Sequence, residues 1–464
     1  MNKKLAEAMS YVNEKYIAQA ALRKKRRYRP LILAAAAILA AVILFNVPSI
    51  PLALSARAVS IASESRKTDR PNRKSDDYQL WLEARQQRSE TVERSRPAVA
   101  EFARKGSGEF LQGDKNALWS PVNAYIALGM TAELTGSHTQ QSVLELLGME
   151  NTDQLRSTVS AVWEELYQKE GKEISILANS LWLDKEVDFH QPVMDDLAYH
   201  YYADVYQRDL QGKGTGKAVS RWINTQTGGM LDGAADSGAM MENTMMALVS
   251  TIYFRSQWSS KFNRSNNTQG TFQGIRGDIE CTFMNKKEAE MNYYWAEDYG
   301  AVQLFLKNDC SMWFILPDPD KGIPDVLEAG DYMDMISQSR DFPAENHKWM
   351  KVNLSVPKFD VSAETDLRAG LENLGLGELF QFYGNDFSSS VGSDVPVYLE
   401  NITQNTRITV EEEGVTAASY IKLRFGAGAA APPEEIIDFV LDRPFLFAIS
   451  CNGIPMFMGT VQMP

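Results

Sequence analysis

Residues 411–425 read Glu-Glu-Glu-Gly-Val-Thr-Ala-Ala-Ser-Tyr-Ile-Lys-Leu-Arg-Phe, and this stretch decides how the chain is interpreted. From Val415 onward its side chains alternate between two faces. One face carries no charge and consists of Val415, Ala417, Ser419, Ile421, Leu423 and Phe425. The other face holds Lys422 and Arg424, where water can reach them. Alternation with a period of two is typical of a half-buried β-strand, so the pattern predicts a strand whose uncharged face turns towards a core.

The residues on either side of this strand pattern do not provide a partner strand. Residues 426–433 read Gly-Ala-Gly-Ala-Ala-Ala-Pro-Pro, which offers neither bulky side chains nor a hairpin turn signal. Gly414 supplies permissive backbone dihedrals at the other end. The pattern therefore predicts a loop that can insert into a sheet. Burying its four larger apolar side chains would release roughly 6–12 kcal/mol, and one buried charge would cancel much of that gain.

The N-terminal part of the chain is predicted to lie outside the globular domain. Residues 24–29 read Lys-Lys-Arg-Arg-Tyr-Arg, and fifteen uninterrupted apolar residues occupy 31–45. A membrane helix needs about 20 apolar residues, a length that is reached only if the weaker apolar stretch up to residue 54 is included. We predict a cytosolic segment at 1–30, a membrane anchor or uncleaved signal at 31–54, and a juxtamembrane tether at 55–94. The basic cluster keeps the N-terminus in the cytosol, so the domain lies on the outside.

A cleaved signal peptide is the alternative for the same segment. Ala56-Arg57-Ala58 resembles a small-residue cleavage site, and cleavage near Ala58 would release a secreted protein. The preceding basic region of about thirty residues is longer than that of most export signals, which favours the retained anchor.

Composition excludes several functional classes. The chain of 464 residues has a net charge of -13, which argues against nucleic acid as a partner. Its four histidines show no ligand pattern, so neither a metal site nor another cofactor is predicted. No pair of nucleophile and base indicates an enzyme, and a hydrolase is disfavoured. The three cysteines, odd in number and far apart, are predicted to be buried free thiols.

Residues 95–464 are predicted to form one large α+β domain. Helical periodicity dominates early, at 121–147 and 153–168, whereas strand patterns dominate later. The predicted strands are 174–183, 246–254, 301–306, 312–317, 352–357 and 407–410, followed by strands within 445–461. Helices first and many antiparallel strands later are typical of α+β architecture.

A set of short motifs, in order along this domain, resembles the serpin family. They are Asn116-Ala117-Leu118-Trp119-Ser120-Pro121-Val122, Ala178-Asn179-Ser180-Leu181-Trp182, Trp222-Ile223-Asn224 with Thr227-Gly228, Ile252-Tyr253-Phe254-Arg255 with Trp258, Pro357-Lys358-Phe359, Asp386-Phe387-Ser388, Arg443-Pro444-Phe445-Leu446-Phe447 and Phe457-Met458-Gly459-Thr460-Val461. Each motif alone is weak, but together they span about 370 residues at the family's spacing. The resemblance implies helices around three β-sheets with an exposed reactive-centre loop.

The resemblance also implies a function, which is the trapping of a serine or cysteine protease. In serpins the protease cleaves the loop and forms an acyl-enzyme, and the freed strand inserts into the central sheet. The family's spacing from the hinge glycine places the scissile bond at Gly428–Ala429. The hinge itself comprises Glu412, Gly414, Val415, Thr416, Ala417 and Ala418. Small residues around the bond favour an elastase- or subtilisin-like target, and a monomer is expected.

A small polar group under the central sheet departs from the family's usual Ser, Asn and His. By motif alignment the corresponding positions are Asn123, Ser250 and Gln404, with Ser120 alongside. Buried polar groups need partners, so we predict that these four side chains, called the polar cluster below, rebuild a hydrogen-bonded network.

Two features of the loop keep a rival function open. Branched Val415 stands where the family prefers Thr or Ser, and Tyr420 is bulkier than usual. The alternative is a non-inhibitory protein with the serpin fold that acts as a binding or scaffolding module.

Overall fold

The helical and alternating patterns form helices and strands close to the predicted positions. The computed structural model describes residues 59–62, 77–168, 173–212, 214–227, 244–337, 346–381, 386–392, 397–399, 402–415 and 435–464. Within these ranges the helices are α1 Asp77–Phe110, α2 Pro121–Leu134, α3 Ser137–Leu146, α4 Thr152–Leu166, α5 Gln191–Tyr201, α6 Thr215–Gln226, α7 Ile323–Ala329, α8 Tyr332–Ser337 and α9 Arg368–Leu371.

Helix α2 is the central helix of the fold. Ser120 caps its N-terminus by accepting a hydrogen bond from the Asn123 backbone N–H, and Pro121 occupies the first turn, where no hydrogen bond is lost. Every residue of α2 is buried, including polar Asn123 and Glu133. The predicted helix at 121–147 is interrupted after Leu134, and α3 starts at Ser137. Because burying an unpaired polar group is costly, the polar side chains of this helix need hydrogen-bond partners inside the protein.

The strands form two hydrogen-bonded arrays. They are β1 Val59–Ala62, β2 Ala117–Trp119, β3 Ile174–Asp184, β4 Ala203–Arg208, β5 Met246–Gln257, β6 Thr268–Gly274, β7 Gly277–Trp295, β8 Tyr299–Phe305, β9 Cys310–Pro317, β10 His347–Pro357, β11 Phe359–Asp366, β12 Thr403–Glu411, β13 Gly414–Val415, β14 Ile436–Val440, β15 Phe445–Cys451 and β16 Ile454–Val461. The central sheet has the order β1-β4-β3-β5-β13-β12-β11. The second array has the order β14-β10-β7-β8-β9-β15-β16-β2, with β6 paired to β7.

Two of the three predicted sheets are joined into one array through β7. Strand β7 has 19 residues; its first part pairs with β6 and its last residues pair with β8. Because one strand belongs to both regions, two of the predicted sheets are continuous in this molecule. Helix α2 packs between the arrays, against β5 on one side and β16 on the other.

Among the described residues, the two middle strands of the central sheet are separated by a gap. Strands β5 and β12 are 12 and 9 residues long, yet in the described residues they are bridged only by the two residues of β13. Gly414 pairs with Gln257 and Glu411, and Val415 pairs with Ser256 and Val410. The loop thus enters the central sheet between β5 and β12. Residues 416–434 lie outside the described ranges.

Two elements begin before the predicted domain boundary at residue 95. Helix α1 starts at Asp77, and β1 pairs antiparallel with β4 at the edge of the central sheet. Part of the predicted tether is therefore folded with the domain. The predicted anchor at 31–54 lies outside the described residues. No helix within the described ranges combines the length and apolarity needed to cross a bilayer.

The cysteine prediction was wrong for two of the three residues. Cys310 and Cys451 stand directly opposite each other on β9 and β15 and form a disulfide. The sequence did not indicate this pairing because the two strands are 141 residues apart and their register was unknown. Cys281 remains a free thiol, half-buried on β7.

Replacing both Cys310 and Cys451 by serine is expected to lower the free energy of unfolding by about 2–5 kcal/mol. The reason is that the bond closes a long loop and so restricts the unfolded chain. Urea unfolding with and without reductant measures the effect. Cys281→Ser is the matched control and should unfold like the unmodified protein. Equal midpoints for the double variant and the control would contradict the prediction.

Candidate functional site

The hinge of the loop lies where β12 ends and β13 begins. Its backbone is held by residues that follow β5. The Trp258 indole Nε1 donates to the Glu411 carbonyl at 2.8 Å, and the Phe262 N–H donates to the Glu412 carbonyl at 3.1 Å. Val415, the first residue of the predicted inserting face, is 1 % exposed and belongs to the core. The structure therefore seats the start of the loop inside the central sheet.

Gly414 is required at this turn for two reasons. Its φ is +150°, a conformation that L side chains rarely adopt. A Cβ at this position would lie 2.5 Å from both the Gln257 Cα and the Ser256 carbonyl oxygen. Since both of those atoms belong to the backbone of β5, they cannot move aside as a side chain would.

Glu412 anchors the hinge through a nearly buried carboxylate. Its Oε1 accepts from Lys358 Nζ at 2.7 Å and from Asn267 Nδ2 at 2.6 Å. Arg264 Nε lies 3.8 Å from Oε2. Burial opposes ionisation, but the hydrogen bonds from Lys358 and Asn267 outweigh it and lower the pKa of Glu412 to about 2. The carboxylate is thus charged and fixed at ordinary pH.

Glu412→Gln is expected to destabilise the folded protein by about 2 kcal/mol at neutral pH, since it removes charge-assisted hydrogen bonds at a buried site. The lowered pKa means that this contribution is complete above the unfolded-state pKa near 4.5 and is lost as the pH falls towards 2. Thermal unfolding of the two proteins between pH 7 and pH 2 should show the difference shrinking over that window.

Glu413→Gln is the control for this experiment. Glu413 pairs with Lys261, but its side chain is 39 % exposed, so solvent weakens the pair. The control should change stability by less than about 1 kcal/mol. The role of the Glu412 carboxylate would be contradicted if Glu413→Gln lost as much stability as Glu412→Gln. It would also be contradicted if the stability difference between Glu412→Gln and the unmodified protein did not change with pH.

The predicted polar cluster is brought together beneath the gap. Its first half joins Gln404 on β12 to Ser120 at the start of α2. The Ser120 N–H donates to Gln404 Oε1 at 2.6 Å, and Gln404 Nε2 donates to the Ser120 carbonyl at 3.1 Å. The Ser120 hydroxyl donates to the Met456 carbonyl at 2.6 Å and accepts from the Asn123 N–H. Both polar ends of the Gln404 amide are therefore satisfied.

The second half of the cluster includes a residue that the motif alignment missed. Ser250 Oγ lies 2.6 Å from Oδ1 of Asn123 and 2.6 Å from Oδ1 of Asn179, which is opposite Ser250 on β3. Asn179 Nδ2 donates to the Tyr201 carbonyl, so its Oδ1 is the acceptor. One hydroxyl proton cannot serve two acceptors. A fully satisfied network therefore has the side-chain amide of Asn123 turned over, so that its Nδ2 takes the place of Oδ1 and donates to Ser250 Oγ.

An ion pair between buried Glu133 and partly exposed Arg156 supports this network from the far end of α2. Arg156 on α4 donates to both carboxylate oxygens of Glu133, at 2.8 and 2.7 Å, and the Tyr201 hydroxyl donates to Glu133 at 3.0 Å. The hydrogen bond to Glu133 raises the pKa of Arg156, and burial raises the pKa of Tyr201. Tyr201 thus links Glu133 to Asn179 of the cluster. No sequence motif indicated this pair.

Several predicted site residues lie outside the described part of the chain. They are the hinge residues Thr416, Ala417 and Ala418 and the predicted reactive-site bond Gly428–Ala429. Their roles stay predictions. In the described ranges no group of three or more histidine, cysteine or acidic side chains is arranged to hold a metal.

Comparison with known proteins gives a consistent result. Residues 98–464 match the family model described as Serpin (serine protease inhibitor). Serpin-ZX of Arabidopsis thaliana is 30% identical over 381 residues, covering 76% of this chain and 93% of its own. Plasminogen activator inhibitor 1 of Bos taurus is 28% identical over 365 residues, covering 76% and 87%. The native-state crystal structure of the thermophilic serpin tengpin superposes with a TM-score of 0.69 at 26% identity, covering 79% and 93%. These matches confirm the predicted α+β fold.

Proposed function

The chain belongs to the serpin family, and from that premise we propose that it inhibits a serine or cysteine protease by loop cleavage, acyl-enzyme trapping and loop insertion. The observation that carries the proposal is the seating of Val415 between β5 and β12, two strands that no described residues other than those of β13 bridge. In this proposal the protein is not an enzyme, because the bound protease supplies the chemistry.

The register of β13 extends naturally to the rest of the loop. Val415 pairs with Ser256 on one side and Val410 on the other. Six residues further along each strand, Ile421 would stand between Ser250 and Gln404. Continuing to Phe425 would reach Met246, the first residue of β5. Strand β5 is therefore long enough to pair with the whole uncharged face from Val415 to Phe425, whereas β12 begins at Thr403 and would pair with the loop only as far as Lys422.

Ile421 in that register is also what favours the rival function. An apolar side chain would be placed between two polar groups of the cluster, and it could not replace any hydrogen bond of the cluster that insertion breaks. Slow insertion at this point would let the protease finish hydrolysis and leave. That outcome corresponds to the alternative, a non-inhibitory binding or scaffolding protein with the same fold.

The proposed target is an elastase- or subtilisin-like protease. The predicted scissile bond Gly428–Ala429 is flanked by small residues, which fit a shallow specificity pocket. Arg424 and Phe425 would suit trypsin- or chymotrypsin-like enzymes, but cleavage there leaves too short a strand for full insertion. We expect such cleavage to behave as ordinary proteolysis.

The proposed location is outside the cytoplasm. The Cys310–Cys451 disulfide supports it, because such bonds persist in oxidising compartments. In this proposal residues 31–54 anchor the chain in the membrane with the domain outside, and secretion after cleavage near Ala58 is the alternative.

The decisive experiment mixes the full chain, purified in detergent, with elastase-, subtilisin-, trypsin- and papain-like proteases. A complex that survives boiling in SDS, formed with elastase or subtilisin, is the expected result. Cleavage within 426–431 should raise the apparent melting temperature, because the inserted strand adds a partner to β5 and β12. Cleavage by every protease without a complex and without thermal stabilisation would exclude trapping and favour the binding module.

A further inference from the structure

The outward face of strands β10 and β14 carries three exposed apolar side chains. Trp349 on β10 is 49 % exposed, and Ile436 and Val440 on β14 are 48 % and 38 % exposed. Both strands alternate cleanly, with Met350, Val352 and Leu354 of β10 buried on the opposite face. In the described residues β14 is also the terminal strand of its array. A terminal strand with exposed apolar side chains is a strand that proteins usually cover.

The charged side chains around these three residues already have partners. Lys348 pairs with Glu435 at 2.7 Å, and Lys351 pairs with Glu288 at 3.6 Å. Asn353 Nδ2 donates to Asp438 at 2.8 Å. Each of these polar groups already has a partner within the protein, although Asp438 keeps its charge, so the apolar groups left to contact a partner are Trp349, Ile436 and Val440.

The position of the face in the chain identifies its partner. Strand β14 begins at Ile436, seven residues from Ala429 at the predicted scissile bond, so the two are separated by at most about 25 Å. A protease domain of roughly 230 residues has a radius of gyration of about 17 Å and is therefore about 45 Å across. A body of that size, bound at the scissile bond, extends over the adjoining strand.

We infer that Trp349, Ile436 and Val440 form an apolar exosite for the protease that cleaves the loop. This inference rests on the proposed inhibitory function and adds a second contact to the loop itself. Its partner is an apolar patch on the protease beside the active-site cleft. Exposed tryptophan is well suited to this role, because aromatic anchors dominate the energetics of protein interfaces. The exosite speeds formation of the first complex and has no part in loop insertion.

The test is the double variant Trp349→Ser/Ile436→Ser in the full chain. Pancreatic elastase and subtilisin are the probes, and the second-order rate constant of complex formation is the readout. With at least one protease we expect a loss of about tenfold or more. The stoichiometry of inhibition and the melting temperature should not change, because both substitutions are on the surface and outside the gap.

Tyr199→Ser on α5 is the matched control, since Tyr199 is 64 % exposed and far along the chain from the loop. It should form complexes at the unmodified rate. Unchanged rates for the double variant with both proteases would overturn the exosite while leaving inhibition intact. An equal loss in the control would overturn it too. If the unmodified chain forms no complex with either protease, the proposed function fails and the exosite fails with it.

Discussion

Ala417→Arg is expected to abolish the SDS-resistant complex with protease while leaving cleavage of the loop intact. Val415 is buried in the central sheet, and the alternation of the loop puts Ala417 on the same face two residues later. An inserted arginine would have to leave water without a partner, at a cost of several kcal/mol. That cost offsets much of the roughly 6–12 kcal/mol gained from the apolar side chains. Insertion then becomes slower than hydrolysis, and the inhibitor becomes a substrate.

Ala418→Arg is the matched control for this prediction. It introduces the same side chain one residue later, on the face that the alternation assigns to solvent and that also carries Lys422 and Arg424. The control should form complexes in nearly the unmodified yield. Gel electrophoresis after mixing with elastase or subtilisin measures the ratio of complex to cleaved protein. Equal yields from the two variants would show that the alternation does not describe insertion.

The alternation could be read from the sequence because it is a local property. Successive side chains of a strand point to opposite faces, so the uncharged face from Val415 onward needed no knowledge of its partners. The seating of Val415 agrees with that interpretation, whereas the position at which the loop enters the sheet could not be derived. That position depends on contacts such as Glu412 with Lys358, which joins residues 54 positions apart.

The polar cluster shows what the resemblance contributed and where it stopped. Alignment of motifs named Asn123, Ser250 and Gln404, and the structure places them beneath one gap. The alignment did not name Asn179, although Asn179 lies within the motif Ala178-Asn179-Ser180-Leu181-Trp182. The missing information was the register of β3 against β5, which puts Asn179 opposite Ser250. An amide side chain inside a largely apolar strand was the available signal.

Cys310–Cys451 and the pairing of β1 with β4 escaped prediction for the same reason. Each depends on which distant strands become neighbours, and a period-two pattern carries no information about neighbours. Cysteines beside apolar residues fit a buried thiol as well as a disulfide between adjacent strands. The odd number of cysteines favoured the wrong alternative, because Cys281 lies on β7, away from the other two.

Arg156→Met is expected to lower the free energy of unfolding by about 3–5 kcal/mol. Glu133 is 4 % exposed, and Arg156 is the cation that neutralises it through two hydrogen bonds. Without the guanidinium, a charged carboxylate would remain buried between α2 and α4. The effect should reach the polar cluster, because Tyr201 contacts Glu133 through its hydroxyl and Asn179 through its carbonyl. Urea unfolding, with the midpoint and slope analysed together, measures the loss.

The double variant Glu133→Gln/Arg156→Met tests whether the lost stability comes from an unpaired buried charge or from lost packing. Glutamine keeps an acceptor for the Tyr201 hydroxyl but carries no charge, so most of the stability should return. Arg407→Met is the surface control. Arg407 also makes a two-point contact with a carboxylate, that of Asp360, but both side chains are more than 40 % exposed. Losing this exposed pair should lower the free energy of unfolding by less than about 1 kcal/mol. If Arg156→Met and Arg407→Met cost the same, or the double variant is no more stable than Arg156→Met alone, the burial of Glu133 is not what makes the pair important.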